Sequence, residues 1–190
     1  MSIFIHQTAI IDENVRIGDG TKIWHFTHIE NGSKIGINCN IGQNVYIGKN
    51  VQIGNFCKIQ NNTSIYEGVT LEDYVFCGPS VVFTNVRIPR SKYPKQKEEY
   101  LPTLVKEGTT IGANSTILCG ITLGKYSFIG ASSFVNRDVL DFSLVVGNPA
   151  EQIGWISEAG ERLFFDLNNI AECKNSKKRY LLKDGKVYEI

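Results

Sequence analysis

Fourteen residues from Ile5 to Phe83 recur at intervals of six without a gap, and eleven of the first twelve are isoleucine. They run Ile5, Ile11, Ile17, Ile23, Ile29, Ile35, Ile41, Ile47, Ile53, Ile59, Ile65, Leu71, Cys77 and Phe83. Glycine follows many of them, at 18, 36, 42, 48, 54 and 78. Four places after each stands a small or β-branched residue, such as Thr21, Thr27, Cys39, Val45 or Thr63. The pattern stops after Phe83 and resumes as Val105, Ile111, Ile117, Leu123, Ile129 and Val135. A period of six matches neither the 3.6 of a helix nor the strict alternation of a half-buried strand. It matches a short strand followed by a corner, three to a coil, so that residue i lies against residue i+18. The large aliphatics then fill a triangular prism, and successive coils sit ~4.8 Å apart. The expected fold is all-β, a parallel β-helix over residues 1–150 interrupted by a long loop at about 86–104. A C-terminal extension, 151–190, completes the expected organisation.

Composition narrows the function classes. The net charge is +1, and the first run of basic residues is Lys177-Lys178-Arg179, which disfavours nucleic acid and anionic membrane as partners. No segment approaches a membrane span or a signal peptide, and five cysteines without CxxC spacing suit a reducing, cytoplasmic setting. Cys39 and Cys57 stack eighteen apart and read as reduced core fillers.

The i+18 rule writes out columns of neighbours. His25, Gln43, Asn61 and Pro79 form one column, and Phe26, Asn44, Asn62 and Ser80 form the next. Together they make an amide-rich edge that suits either a polar ligand or a plain hydrogen-bonded ladder. A third column runs Asn31, Lys49, Glu67, Asn85, with Glu67 and Asn85 one coil apart where the loop departs. A carboxylate beside a carboxamide at a loop base suits an amine. His25 and His28 project outward; His25 is a candidate general base or an interface histidine, and His6 is read as uninvolved. In the later coils, Gly112, Ala113 and Asn114 stack under Gly130, Ala131 and Ser132. Small residues there leave backbone open to an extended ligand, or to a neighbouring subunit. Lys125 and Arg137 stand nearby as donors to phosphate. After the coils, Ile153, Ile156, Ala159 and Leu163 have helical spacing and predict a capping helix. The tail predicts a hairpin about Asp184-Gly185.

Several blocks carry a more specific signal: WHFTH, IGQNVYIG, KIQNN, LEDYVFCGPSVVFTN, PRS, TLVKEGTTIGAN and GNPAEQIGW. With the hexads they resemble the hexapeptide-repeat acyltransferases, and among those the N-acetyltransferases of nucleotide-linked 3-amino sugars. The nearest likeness is to enzymes acting on UDP-2-acetamido-3-amino-2,3-dideoxyglucuronate for surface polysaccharide (lipopolysaccharide) synthesis. The alternative acceptor is a dTDP-linked 3-amino-3,6-dideoxyhexose. The resemblance implies a left-handed β-helix, a homotrimer with sites between subunits, acetyl-CoA as co-substrate, and no metal. It implies Asn85, Glu67 and His25 as catalytic candidates. Gln43, Asn44, Asn61, Asn62 and the loop residues Arg90, Lys92 and Tyr93 would bind the sugar nucleotide. The strip of small residues would take the pantetheine arm, and Pro149 is counted with it. Two more distant readings are a γ-type carbonic anhydrase, which needs three converging zinc histidines, and a non-catalytic solenoid, which has no need of the long loop.

Overall fold

The computed structural model describes residues 2–190. It is the coil that the hexads predict. Three parallel sheets form the faces of a prism. The first face stacks Phe4–Ile5, Lys22–Ile23, Asn40–Ile41, Lys58–Ile59, Phe76–Cys77, Thr110–Ile111, Phe128–Ile129 and Ser143–Gly147. The second runs from Ile10–Ile11 to Phe134–Val135, and the third from Arg16–Ile17 to Thr122–Leu123. Below the loop the pairing is i+18, as in Ile41↔Ile59 and Ile47↔Ile65. Across the loop the same columns continue at i+34, as in Leu71↔Val105 and Phe83↔Ile117. The loop therefore adds sixteen residues to one coil without disturbing any column.

The core is the aliphatic ladder. Residues 23, 29, 41, 47, 59, 65, 111, 117 and 129 are all isoleucines with no exposure, and Phe83 is equally buried. The small residue four places on does more than fill space. Its hydroxyl or thiol donates to a corner carbonyl of the next coil: Thr21 to Gly36 at 2.8 Å, Thr27 to Gly42 at 2.8 Å, Ser33 to Gly48 at 2.8 Å, Cys39 to Gly54 at 3.1 Å. Thr63, Thr109 and Ser115 repeat the contact. Buried polar groups need partners, and here the coil itself supplies them, except to the hydroxyls of Thr103, Ser127 and Ser143, which have none. All five cysteines are free and buried.

The corners turn through left-handed backbone. Asn38, Asn44, Asn50, Asn62 and Asn114 have φ of 55–62°, a conformation that asparagine tolerates better than most side chains. Glycine immediately after the strand answers another need. A Cβ on Gly42 would meet Asn61 N at 2.8 Å, and one on Gly112 would meet Ala131 N at 2.5 Å.

The C-terminal expectation is half corrected. No helix covers 153–163. The chain turns at Asn148-Pro149, and Ala150–Ile156 runs antiparallel beside Ser143–Gly147, followed by Arg162–Leu163. The last strand of the first face would otherwise present unpaired backbone groups, and an antiparallel strand satisfies them where a helix cannot. Gly154 and Gly160 also lower helix propensity in that stretch. The hairpin at Asp184-Gly185 is present, in a three-stranded sheet of Ile170–Glu172, Arg179–Lys183 and Lys186–Glu189. Phe142, Leu163, Ala171, Cys173, Tyr180 and Val187 form a second small core beneath it.

Truncating a column residue should be costly because its neighbours above and below cannot collapse. Ile59→Ala is expected to lose about 2–5 kcal/mol, read as a shift of the denaturation midpoint; a loss below ~1 kcal/mol would contradict the close-packed column.

Candidate active site

The predicted residues lie along two edges of the second face. Corner one–two, where the chain passes from the first face to the second, carries His25, Gln43, Asn61, Pro79, Ala113 and Ala131, each stacked on the last. Backbone bonds confirm the column: Asn44 N–H donates to His25 O, Asn62 N–H to Gln43 O, Ser80 N–H to Asn61 O, Asn114 N–H to Pro79 O and Ser132 N–H to Ala113 O. The amide column and the small-residue strip are thus one continuous edge, polar below and small above.

Some of its amides are used in the stack. Asn61 Oδ1 accepts from Gln43 N–H at 2.9 Å, and Asn44 Nδ2 donates to Asn62 Oδ1 at 3.0 Å. Gln43, Asn44, Asn61 and Asn62 remain exposed, so each keeps polar valences for a ligand.

Corner two–three carries Glu67, Asn85 and the loop. The loop spans 84–102, since the returning strand begins at Thr103. Its neck is clasped: Leu101 N–H donates to Asn85 O at 3.0 Å, and Thr103 N–H to Gly68 O at 3.0 Å. Thr84 Oγ1 accepts from Cys119 N–H at 3.0 Å. Asn85 is half-buried at this neck, one coil above Glu67. Glu67 Oε1 accepts from Asn50 Nδ2 and from Lys97 Nζ of the loop, both at 3.3 Å. Beyond the neck, Arg90, Lys92 and Tyr93 are exposed, with the Lys92 ammonium 5.8 Å from the Tyr93 ring centre. Arg90, Ser91, Lys95 and Tyr100 line a shallow hollow of about 420 Å³ in the loop.

In one chain these two edges are separated by the width of the second face. The outside of that face is largely aromatic and aliphatic, with Ser64 and Thr116 among the rings. Tyr46 and Tyr66 rings lie 5.3 Å apart, His28 packs edge-on to Tyr46 at 6.1 Å, and Val82, Leu118 and Phe134 continue the surface. The Tyr46 hydroxyl donates to Glu30 Oε1 at 2.9 Å. Burial, reinforced by that carboxylate, pushes its ionisation up to about 12. His28 Nε2 stands 3.1 Å from Asp12 Oδ1.

The two cations proposed for phosphate are already engaged. Lys125 Nζ donates to Glu107 Oε2 at 2.8 Å, which holds its pKa above the usual lysine value. Arg137 Nη2 stands 2.7 Å from Glu151 Oε2 and also reaches Ala150 O. Lys125 lies on corner three–one, across the third face from the corner that carries Asn85. Pro149 is exposed, with a cis bond to Asn148. A separate hollow of about 440 Å³, lined by Lys106, Asp138, Asp141, Lys186 and Tyr188, opens between the last coil and the C-terminal sheet. None of the predicted site residues lines it. His6, read from sequence as uninvolved, stacks on His25 with ring centres 3.5 Å apart. No i+18 relation joins the two, so the columns could not show it.

Comparison with known proteins supplies the family. A curated relative from Aneurinibacillus thermoaerophilus, dTDP-3-amino-3,6-dideoxy-alpha-D-galactopyranose 3-N-acetyltransferase, is 44% identical over 187 residues, 98% of this chain and 95% of its own. The chain belongs to the hexapeptide-repeat acyltransferases. The profile described as hexapeptide repeat of succinyl-transferase matches residues 102–137, and that of the GMPPB C-terminal domain matches residues 23–93. The bifunctional protein GlmU of Nostoc is 27% identical over 84% of this chain, which spans a third of that protein. Among solved structures, a variant of GDP-perosamine N-acetyl transferase from Caulobacter crescentus, in complex with CoA and GDP-perosamine, superposes with a TM-score of 0.56. It is 20% identical and covers 81% of this chain and 57% of its own. A variant of AntD, an N-acyltransferase from Bacillus cereus in complex with dTDP and coenzyme A, has a TM-score of 0.54 at 17% identity, covering 80% and 82%. This left-handed β-helix is therefore an acyltransferase scaffold, and its full-length relative acts on a dTDP-linked sugar, the alternative acceptor, rather than on a UDP-glucuronate derivative.

Two measurements follow from the geometry. Removing the loop's anchor by Glu67→Gln should speed amide exchange across 97–101 while moving overall stability by no more than about 1 kcal/mol, because the pair is surface-exposed. Tyr46 favours its neutral form in the folded state, since its pKa lies above the usual ~10. Its contribution is whole below pH 10 and lost as pH rises through about 12. An ultraviolet titration of Tyr46→Phe should show one fewer late-ionising tyrosine.

Proposed function

We propose that this protein transfers the acetyl group of acetyl-CoA to the 3-amino group of a nucleotide-linked sugar, with a dTDP-linked 3-amino-3,6-dideoxyhexose as acceptor. The single observation that carries the acceptor is the 44% identity with the dTDP-sugar 3-N-acetyltransferase along nearly the whole of both chains. The UDP-glucuronate derivative is the second acceptor, favoured by the block resemblance and by the free cation of Arg90, which a sugar carboxylate could use.

The working unit we propose is a homotrimer with the second face turned toward the threefold axis. Tyr66 is 40% exposed and Val82 36% in the single chain, and burial of this face would remove that apolar surface from water. The same arrangement brings corner one–two of each chain beside corner two–three of the next. Asn85 and the loop of one chain then face the amide column and small-residue strip of its neighbour. The separation seen in one chain is resolved by assembly. A cytoplasmic setting and a role in surface-polysaccharide synthesis belong to the same reading, because activated sugars and acetyl-CoA meet there.

In the reaction the neutral sugar amine attacks the thioester carbonyl. A C–N bond forms, the carbonyl oxygen takes up negative charge, and the C–S bond then breaks to release CoA. Asn85 Oδ1 accepts a hydrogen bond from the amine and aims its lone pair. Backbone N–H groups of the adjoining corners stabilise the oxyanion. In this reading Glu67, one coil below, or the departing thiolate accepts the proton. The strip at Gly112–Asn114 and Gly130–Ser132 gives the pantetheine arm open backbone to lie on.

The test is thiol release from acetyl-CoA with dTDP- and UDP-linked 3-amino sugars in parallel. Turnover with the dTDP sugar is the expected result; turnover with the UDP-glucuronate substrate alone would replace the acceptor, and none with either would end the reading. Asn85→Ala should lower kcat by roughly 10²–10⁴-fold, and a full-rate variant would remove Asn85 from the site. Sedimentation should give a trimer.

A further inference from the structure

One cluster is left unused by this chemistry. At the lowest coils of corner one–two, the His6 and His25 rings stack with centres 3.5 Å apart and planes 29° from parallel. Trp24 lies 6.3 Å from His25 and within 7° of its plane, and Phe26 lies 6.2 Å away. The cluster is braced. Trp24 Nε1 donates to Asn40 Oδ1 at 2.7 Å. Thr8 N–H donates to His6 Nδ1 at 3.3 Å, and Thr8 Oγ1 lies 2.9 Å from the same nitrogen while accepting from Phe26 N–H at 3.1 Å. His6 Nδ1 is thus an acceptor, its ring is pinned, and Thr8 ties it to Phe26.

Phe26 departs from its own corner. It holds φ of 56°, where that corner otherwise uses Asn44, Asn62, Ser80, Asn114 and Ser132; the other aromatic residues at such φ, Phe56, Tyr74, Tyr126 and Phe142, lie elsewhere, and a bulky residue in that region is strained. Aromatic residues at corner three–one, Phe56 and Tyr74, stack on each other at 4.9 Å with planes 5° apart. Phe26 has Thr8 and Asn44 as column neighbours instead, and is 61% exposed. A strained, exposed ring beside a pinned imidazole pair has the form of a stacking platform for a planar ligand.

Height along the prism says which ligand. His25 lies three coils below Pro79, the coil that carries Asn85, a rise of ~14 Å at the usual strand spacing. In any assembly whose axis runs along the prism, equal coils stand at equal heights, so no neighbour brings His25 closer to Asn85. That distance excludes proton transfer between His25 and an amine held at Asn85. It suits the reach of an extended nucleoside diphosphate sugar from its sugar ring to its base, with Gln43, Asn44, Asn61 and Asn62 between. We propose that the His6–His25 stack and Phe26 form the platform for the pyrimidine base of the sugar nucleotide, and that His25 is a binding residue rather than the base of the reaction. This rests on the acceptor class proposed above.

The test is calorimetric titration of the wild type, His6→Ala and Phe26→Asn with dTDP and with UDP, beside steady-state kinetics on the 3-amino sugar nucleotide. Phe26→Asn restores the residue the corner uses at 44 and 62, so it should fold. The wild type should bind one diphosphate, and which one identifies the nucleotide. Each variant should weaken that binding by about tenfold, the order expected for losing one base–aromatic stack, and raise KM for the sugar nucleotide alike, with kcat held within about twofold. Tyr74→Asn, on the other corner, should change neither. Unaltered diphosphate affinity in both variants, binding of neither diphosphate by the wild type, or a fall in kcat at constant KM would overturn the platform. If no 3-amino sugar nucleotide turned over, the functional reading would fail while the diphosphate titrations still decided the platform.

Discussion

The fold hangs on parallel stacking of coils in register, most of them eighteen residues long. Backbone groups of each strand bond to the same positions one coil away, so a residue's neighbours are set by a count of eighteen. That count makes isoleucine fall on isoleucine inside the prism. It also makes hydroxyl fall beneath carbonyl at the fourth position, and asparagine on asparagine at the corners. A change of one residue in any coil would throw every side chain to a wrong face. The chain admits its long insertion, the loop at 84–102, only at a corner and only with a clasped neck, and the columns continue across it; the last coil closes two residues short, at i+16, as in Leu123↔Val139 and Ile129↔Val145.

The same regularity explains where chemistry can be placed. A uniform column is inert, so function depends on departures from it: an excursion at a corner, amides replaced by small residues, or an aromatic ring where asparagine belongs. These occur along the edges of the second face, at Asn85 and the loop on one side and along the column from His25 to Ala131 on the other. A rigid, repetitive scaffold holds such departures at fixed heights without a dedicated support for each. Position along the axis becomes a ruler for an extended ligand, with small residues above the loop and polar and aromatic residues below it.

The legible parts of the sequence were those governed by the repeat. The coil, the core ladder, the columns through Gln43 and Asn61, the adjacency of Glu67 and Asn85 in height, and the hairpin at Asp184-Gly185 all follow from spacing and turn chemistry. The capping helix was misread because Ile153, Ile156, Ala159 and Leu163 mimic a helical face, whereas the open strand edge at Ser143–Gly147 decides the outcome by its unpaired backbone groups. Lys125 and Arg137 looked free for phosphate, but Glu107 and Glu151 pair with them; the first pairing is itself an i+18 relation that the columns contain, and the second follows no fixed spacing. The His6–His25 stack was invisible because it crosses columns instead of following one.

By itself, then, the sequence determined the period, and with it the fold, the core and the height of each residue, because those depend only on a local repeat. Tertiary structure alone decided the lateral matters: which corner each column occupies, which side chains pair across columns, and how the chain ends. These depend on contacts between residues that no fixed spacing relates. The two edges that carry the candidate residues lie on opposite sides of one face, and only the fold shows that separation.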